Sequence, residues 1–151
     1  MRTAPHQFSL GRSFALYTAR FAEPAFSLIG NPATLFGNLL KHLAPFGAEL
    51  SSLSMDATSL PNAFVSCAIT GDLIARVRVD GVEVYAKPSD LGTESVRAFA
   101  EAALAAVHET DPGRAFLAHE ITLTMRGRLN GLTYQDFVSM LMTVQIGRAH
   151  V

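Results

Sequence analysis

Apolar positions recur along this chain in two rhythms, one of 3.6 residues and one of two, and the two rhythms predict different elements. Asn31-Pro32 opens the first helical stretch. Asn31 suits an N-cap, and Pro32 suits the first helical position, where its missing N–H costs nothing. Leu35, Phe36, Leu39, Leu40 and Leu43 then form one apolar stripe, which Pro45 and Gly47 end. A second stripe, Val96, Phe99, Ala100, Ala103, Leu104 and Val107, predicts a helix over 93–109. Thr93 can cap it, Glu94 places a negative charge in its first turn, and Asp111-Pro112-Gly113 stops it. Its many alanines let it lie close to a sheet. A third stripe, Tyr134, Phe137, Val138, Leu141 and Met142, predicts a helix over 133–142.

The two-residue rhythm predicts strands. An aromatic-rich stretch reads as a strand over 13–22, and two more fall over 49–57 and 63–70, parted by a turn at Ser59-Leu60-Pro61-Asn62. Residues 118–129 alternate strictly: Ile121, Leu123, Met125 and Leu129 inward, with Glu120, Thr122, Thr124, Arg126 and Arg128 outward. Residues 73–87 read as a hairpin with Asp80-Gly81 as its two-residue type I′ turn. That register sets Val79 opposite Val82, Val77 opposite Val84 and Ala75 opposite Ala86, with Arg78–Glu83 and Arg76–Tyr85 pairs on the other face. A single strand running through Asp80-Gly81 is the alternative.

The order of elements is strand, helix, four strands, helix, then strand and helix. Clean alternation means a sheet with one wet face, so the expected class is α+β, a mainly antiparallel sheet with helices on one face. We read a flexible segment over 1–12, a β-α-β4-α unit over 13–116, and the β-α start of a second, truncated repeat over 117–145. This element order resembles that of the TATA-binding-protein-like fold, a duplicated β-α-β4-α unit. The likeness is one of order alone and implies nothing about DNA. The rival is the helix-grip ligand-binding fold, which needs two helices after the first strand and about six strands, more than the sequence pattern supplies.

Residues 146–151, Ile-Gly-Arg-Ala-His-Val, match in one frame the translation of a short-read sequencing adapter, and Gln145 is one of the residues that frame permits before them. They are expected to be no part of the native protein, whose natural product is then longer.

Composition narrows the function classes. Of 151 residues, 49% are hydrophobic and 17% charged, which supports a folded core over a disordered chain. A net charge of −1 removes the bulk-electrostatic argument for nucleic acid as a partner. No uncharged apolar run reaches the roughly 18 residues of a membrane helix, and residues 1–11 lack a signal-peptide pattern, so a soluble cytoplasmic chain is expected. One cysteine, Cys67, allows neither an intrachain disulfide nor a multi-cysteine zinc site.

Catalytic signatures fail one by one. Neither Lys41 nor Lys87 follows a phosphate-loop glycine pattern. His119-Glu120 and His108-Glu109 begin like zinc-protease motifs, but Leu123 and Pro112 stand where the second histidine belongs. His42 and His108 suit helix C-termini, Cys67 reads as a buried inert thiol, and Asp56 reads as a turn former. No cofactor, no metal site and no catalytic residue is expected. What has direction is the wet sheet face, where Arg76, Arg78, Tyr85, Arg126 and Arg128 point outward if their strands share one sheet. Such a face suits an anionic or protein partner. The first reading is therefore a non-catalytic binding or interaction module. The alternatives are a small-ligand carrier or enzyme with an apolar cavity between helix 94–109 and the sheet, and a structural or assembly protein that forms oligomers.

Overall fold

The computed structural model describes residues 7–70, 72–87, 93–130, 133–136 and 138–139, with backbone alone for 7–13, 93 and 125–130. The chain divides into two compact units, residues 13–124 and residues 1–12 with 125–151. In chain order the elements are β1 (Gln7–Phe21), α1 (Phe26–Gly30), α2 (Pro32–Leu43), β2 (Leu53–Asp56), β3 (Phe64–Thr70), β4 (Leu73–Arg78), β5 (Gly81–Ala86), α3 (Thr93–Thr110) and β6 (Phe116–Asn130). From β1 to α3 the order is strand, two helices, four strands and a helix, one helix more than the expected β-α-β4-α unit. Residues 134–136 and 138–139 of the expected last helix are helical. The rest of that helix and residues 146–151 lie outside the described residues.

The strands form one antiparallel sheet in the order β2-β3-β4-β5-β1-β6. Strands β2 to β5 meander, and β1 pairs antiparallel with β5, setting Ala15, Tyr17 and Ala19 opposite Ala86, Val84 and Val82. Alternation then sorts the faces. Val65, Cys67, Ala75, Val77, Val82 and Val84 are buried, in one core with Leu35, Leu39 and Leu43 of α2 and Phe99, Ala103, Ala106 and Val107 of α3. Helices therefore cover one face of the sheet, and the other face carries Arg76, Arg78, Glu83 and Tyr85, all partly exposed. Phe99 is fully buried and meets Phe46 edge to face, ring centroids 5.3 Å apart.

The helical stripes fold as their spacing predicts. Pro32 stands at the first position of α2, although Asn31 makes no side-chain cap bond. Gly47 ends the following turn at φ 93°, a conformation that glycine adopts without strain. At their C-terminal ends α2 and α3 are tied together: Asn38 donates to the Thr110 hydroxyl at 2.9 Å, and Lys41 and His42 each lie 2.6 Å from a Glu109 carboxylate oxygen.

The hairpin forms, but two residues out of the expected register. Val77 pairs with Val82, Arg76 with Glu83 and Ile74 with Tyr85, which makes Val79-Asp80 the connection. A type I′ turn needs positive φ at both central residues, and no non-glycine described residue has one. Neighbouring chain selects the turn instead. The Phe21 amide donates to the Asp80 carbonyl at 2.9 Å, and the Ala25 amide to the Val79 carbonyl at 2.7 Å. Gly81 is required for a different reason than a turn: a β-carbon there would stand 2.3 Å from the Ala19 carbonyl oxygen of β1. Because the slip is two residues, every side chain keeps its expected face.

Two further expectations change. The predicted strand over 49–57 is shortened, because Leu50–Ser52 forms a tight helical turn closed by a bond from the Glu49 amide to the Ser52 hydroxyl. The element count also removes one argument against a helix-grip fold, since two helices follow β1 and the sheet has six strands. The order still departs from it, with β6 following the long helix α3.

Candidate functional site

Two surfaces of the 13–124 unit offer room for a ligand, one on each face of the sheet. The first lies on the helical side. Ala103 and Ala106 of α3 are fully buried, so the helix sits close over the sheet there, as small side chains allow. Toward β1 and β6 the sheet continues past the helix. The result is an open cleft of about 570 Å³ lined by Ala15, Tyr17, Val84, Val96, Ala100, Leu104, Ile121 and Leu123, with Arg97 and Glu101 at its edge. The cleft lies beside the predicted helix 94–109, where the alanine-rich face argued for little void. The helix seats itself through residues 103 and 106, and the space opens along its other flank. Ile121 and Leu123 take the helix-side face that their alternation predicts, yet they remain 69% and 64% exposed.

The polar groups nearest this cleft are already engaged. The Tyr17 hydroxyl and His119 Nδ1 are joined by a 2.7 Å hydrogen bond, with the two rings stacked 6.1 Å apart. Burial pushes the Tyr17 hydroxyl pKa up, so at neutral pH it is a neutral hydrogen-bonding group rather than a phenolate. Arg97 Nε donates to Glu101 at 2.8 Å, one helical turn on.

The second surface is the opposite face. Arg76, Arg78 and Tyr85 do share it, on β4 and β5, whereas the side chains of Arg126 and Arg128 lie outside the described residues. The arginines have carboxylate neighbours: Arg76 lies 3.8 Å from Glu83, and Arg78 lies 3.4 Å from Asp80 and 3.8 Å from Glu83. Arg76 does not lie over Tyr85 as the expected register would have it. Its guanidinium sits over Phe64, 4.4 Å from the ring centre, while Tyr85 packs on Phe14 at 5.5 Å. Two hollows mark this face, one lined by Leu16, Ile74, Arg76, Glu83 and Tyr85, the other by Thr18, Arg20, Arg78, Asp80, Gly81 and Glu83. Arg20 is the member that sequence reasoning passed over. Its signal was its even position on β1, on the same face as Thr18 and Leu16, but that requires knowing that β1 lies beside β5.

Residues with catalytic potential are placed elsewhere. Cys67 is buried, and burial pushes its thiol pKa up, which disfavours the thiolate that a nucleophile needs. Asp56 accepts from the hydroxyl and the 2.9 Å backbone amide of Thr58, and these bonds hold its carboxyl below its ordinary range. It forms a turn, as its sequence context suggests. Among the described residues no group of three or more His, Cys, Asp or Glu side chains is placed to hold a metal ion, and no helix is long and apolar enough to cross a membrane. No protein-family model matches the chain, and no curated protein matches it.

Proposed function

We propose that this chain is a binding module, and that its ligand is a small apolar molecule held in the cleft between α3 and the β1–β6 end of the sheet. The observation that supports this most is the cleft itself. Its volume, about 570 Å³, falls in the range of small-molecule sites, and its wall is aliphatic apart from Tyr17, Arg97 and Glu101. An apolar ligand there would remove Ile121 and Leu123 from water, a gain that scales with the area covered. The Tyr17–His119 pair supplies a directional polar contact at the wall. The test is a fluorescence titration with 1-anilinonaphthalene-8-sulfonate on wild type and on Ala100→Trp, whose indole occupies the cleft. Saturable binding by wild type, lost in Ala100→Trp at unchanged melting temperature, is the expected result. Undiminished binding by the variant removes the reading.

A second reading keeps the arginine-bearing face as the binding surface for an anionic partner. Its support is the placement of Arg20 beside Arg78 in one hollow, which adds a cation to the expected set. Glu83 and Asp80 work against it, because an incoming anion must displace or share their arginines. Heparin binding that falls with salt, and falls further in Arg76→Ala with Arg126→Ala, supports this reading. Binding that is equal in both proteins and insensitive to salt discards it.

A further inference from the structure

The face of the sheet opposite the helices is ordered in rows. Leu16 of β1, Tyr85 of β5 and Ile74 of β4 stand opposite one another in one row. Two residues along each strand, Thr18, Glu83 and Arg76 form the next. An apolar row thus lies beside a polar one, about 7 Å away at the rise of a strand. Leu16, Ile74, Arg76, Glu83 and Tyr85 together line a hollow of about 350 Å³. Its two charged groups are neighbours without being joined. Arg76 Nη1 and Glu83 Oε2 are 3.8 Å apart, beyond a hydrogen bond. The buried Arg76 Nε has no hydrogen-bond partner among the described residues, a state that proteins rarely leave uncompensated. Arg97 and Arg114 behave otherwise, each closing on a carboxylate, at 2.8 Å to Glu101 and 2.9 Å to Asp111. The hollow is also preorganised: the Arg76 guanidinium lies over the Phe64 ring, and Tyr85 packs on Phe14.

We infer that this hollow binds a free α-amino acid with an apolar aromatic side chain. Charge balance selects a zwitterion. Arg76 and Glu83 cancel, and Arg78 beside them is matched by Asp80 at 3.4 Å. A simple anion drawn to Arg76 would meet the Glu83 carboxylate, and a simple cation drawn to Glu83 would meet Arg76. A zwitterion satisfies both. Its carboxylate accepts from the Arg76 guanidinium, and its ammonium, attached one carbon away, donates to Glu83, both as charge-assisted hydrogen bonds. The side chain then lies over the apolar row and covers Leu16 and Ile74. Tyr85 stands at the centre of that row, so an aromatic side chain gains an offset stack on its ring. A peptide end carries only one of the two charges, which makes the free amino acid the better match. This ligand takes from the second reading above only the arginine-bearing face, and unlike an anionic partner it carries no net charge.

Isothermal titration of the full chain with L-phenylalanine, N-acetyl-L-phenylalanine and L-phenylalaninamide reads the site, with Arg76→Met and Glu83→Gln beside wild type. Both side chains lie outside the core, and each variant is checked for folding by circular dichroism. The expected result is saturable binding of L-phenylalanine by wild type, about tenfold weaker in either variant and about tenfold weaker for either blocked ligand. A wild type that does not bind L-phenylalanine saturably overturns the inference, and so does binding indifferent to Arg76→Met or to Glu83→Gln. N-acetyl-L-phenylalanine bound as tightly as the free amino acid makes the ligand a plain carboxylate, and the amide bound as tightly makes it a plain cation; either result overturns the inference too. The blocked ligands need only wild type, so the test survives a variant that fails to fold. Salt-sensitive heparin binding without L-phenylalanine binding leaves the anionic-partner reading standing and removes this one alone. Ala100→Trp lies on the other side of the sheet, so the cleft reading stands or falls separately.

Discussion

The middle of the sheet and its β6 margin carry the same alternating pattern and meet opposite fates. Val65, Val77, Val82 and Val84 are sealed beneath α2 and α3, with at most 1% of their surface exposed, while Leu117, Ile121 and Leu123 keep at least 64%. Period-two alternation states which side of a strand is apolar. It says nothing about whether a helix lies over that side. The contrast therefore teaches that coverage is a non-local property: α3 spans β4 and β5, and the sheet outruns it.

The largest test of this contrast compares equivalent truncations on the two sides. Phe99→Ala removes a fully buried ring that also braces Phe46, and should cost about 3–5 kcal/mol in urea denaturation. Leu123→Ala, measured at dilute protein, should cost less than about 0.5 kcal/mol, because its side chain is already mostly in water. Equal costs would mean that the two regions are not packed differently at all. Between these in size stands Gly81→Ala. Its new methyl group meets the Ala19 carbonyl oxygen and must push β1 away from β5, at about 2–3 kcal/mol. A neutral substitution there would show that the β1–β5 approach is loose and that the covered half is softer than its burial implies.

The smallest expected effect is electrostatic and pH-dependent. Hydrogen bonds from Lys41, and then from His42, hold the Glu109 carboxyl below its ordinary value of 4.5. A carboxyl whose pKa is depressed by folding stabilises the fold above its unfolded pKa, and that contribution disappears as pH falls through the folded value. Wild type should thus lose melting temperature below about pH 4.5 more steeply than Glu109→Gln. Parallel acid limbs for the two proteins would show that the α2–α3 tie is only a surface contact. The pair is exposed, so the slope difference is small and diminishes in salt.

How far the sequence was legible varies by element. The stripes of α2 and α3 were readable because a helix stripe is a local repeat, and the same residues that set the spacing, Leu35, Leu39, Leu43, Phe99 and Val107, fill the core. The hairpin was readable in its faces but not in its partners. Parity survives a two-residue slip, whereas the choice of turn rests on amides of Phe21 and Ala25, some 55 residues away in the chain. For the same reason the Arg76–Tyr85 contact became Arg76–Phe64. The cluster of Arg76, Arg78 and Tyr85 was visible from hairpin alternation alone, but Arg20 joins it only because β1 returns beside β5. An apolar cavity between helix 94–109 and the sheet stood among the alternatives, but its lining was not legible, since the cleft is the space left where α3 ends its cover of a sheet whose strand order no local pattern encodes.

What the amino-acid sequence determined by itself is a set of sided elements: which face of each strand repels water, where each helix starts and stops, and that the whole is α+β. Those properties arise from backbone periodicity and from side chains a few residues apart. Only the tertiary structure decided that β1 leaves its chain neighbours to join β5, that β6 lies beyond β1 among the described strands, and that an apolar cleft results. Those outcomes depend on contacts between segments far apart in the chain, where loop closure and packing, not local spacing, select the partner.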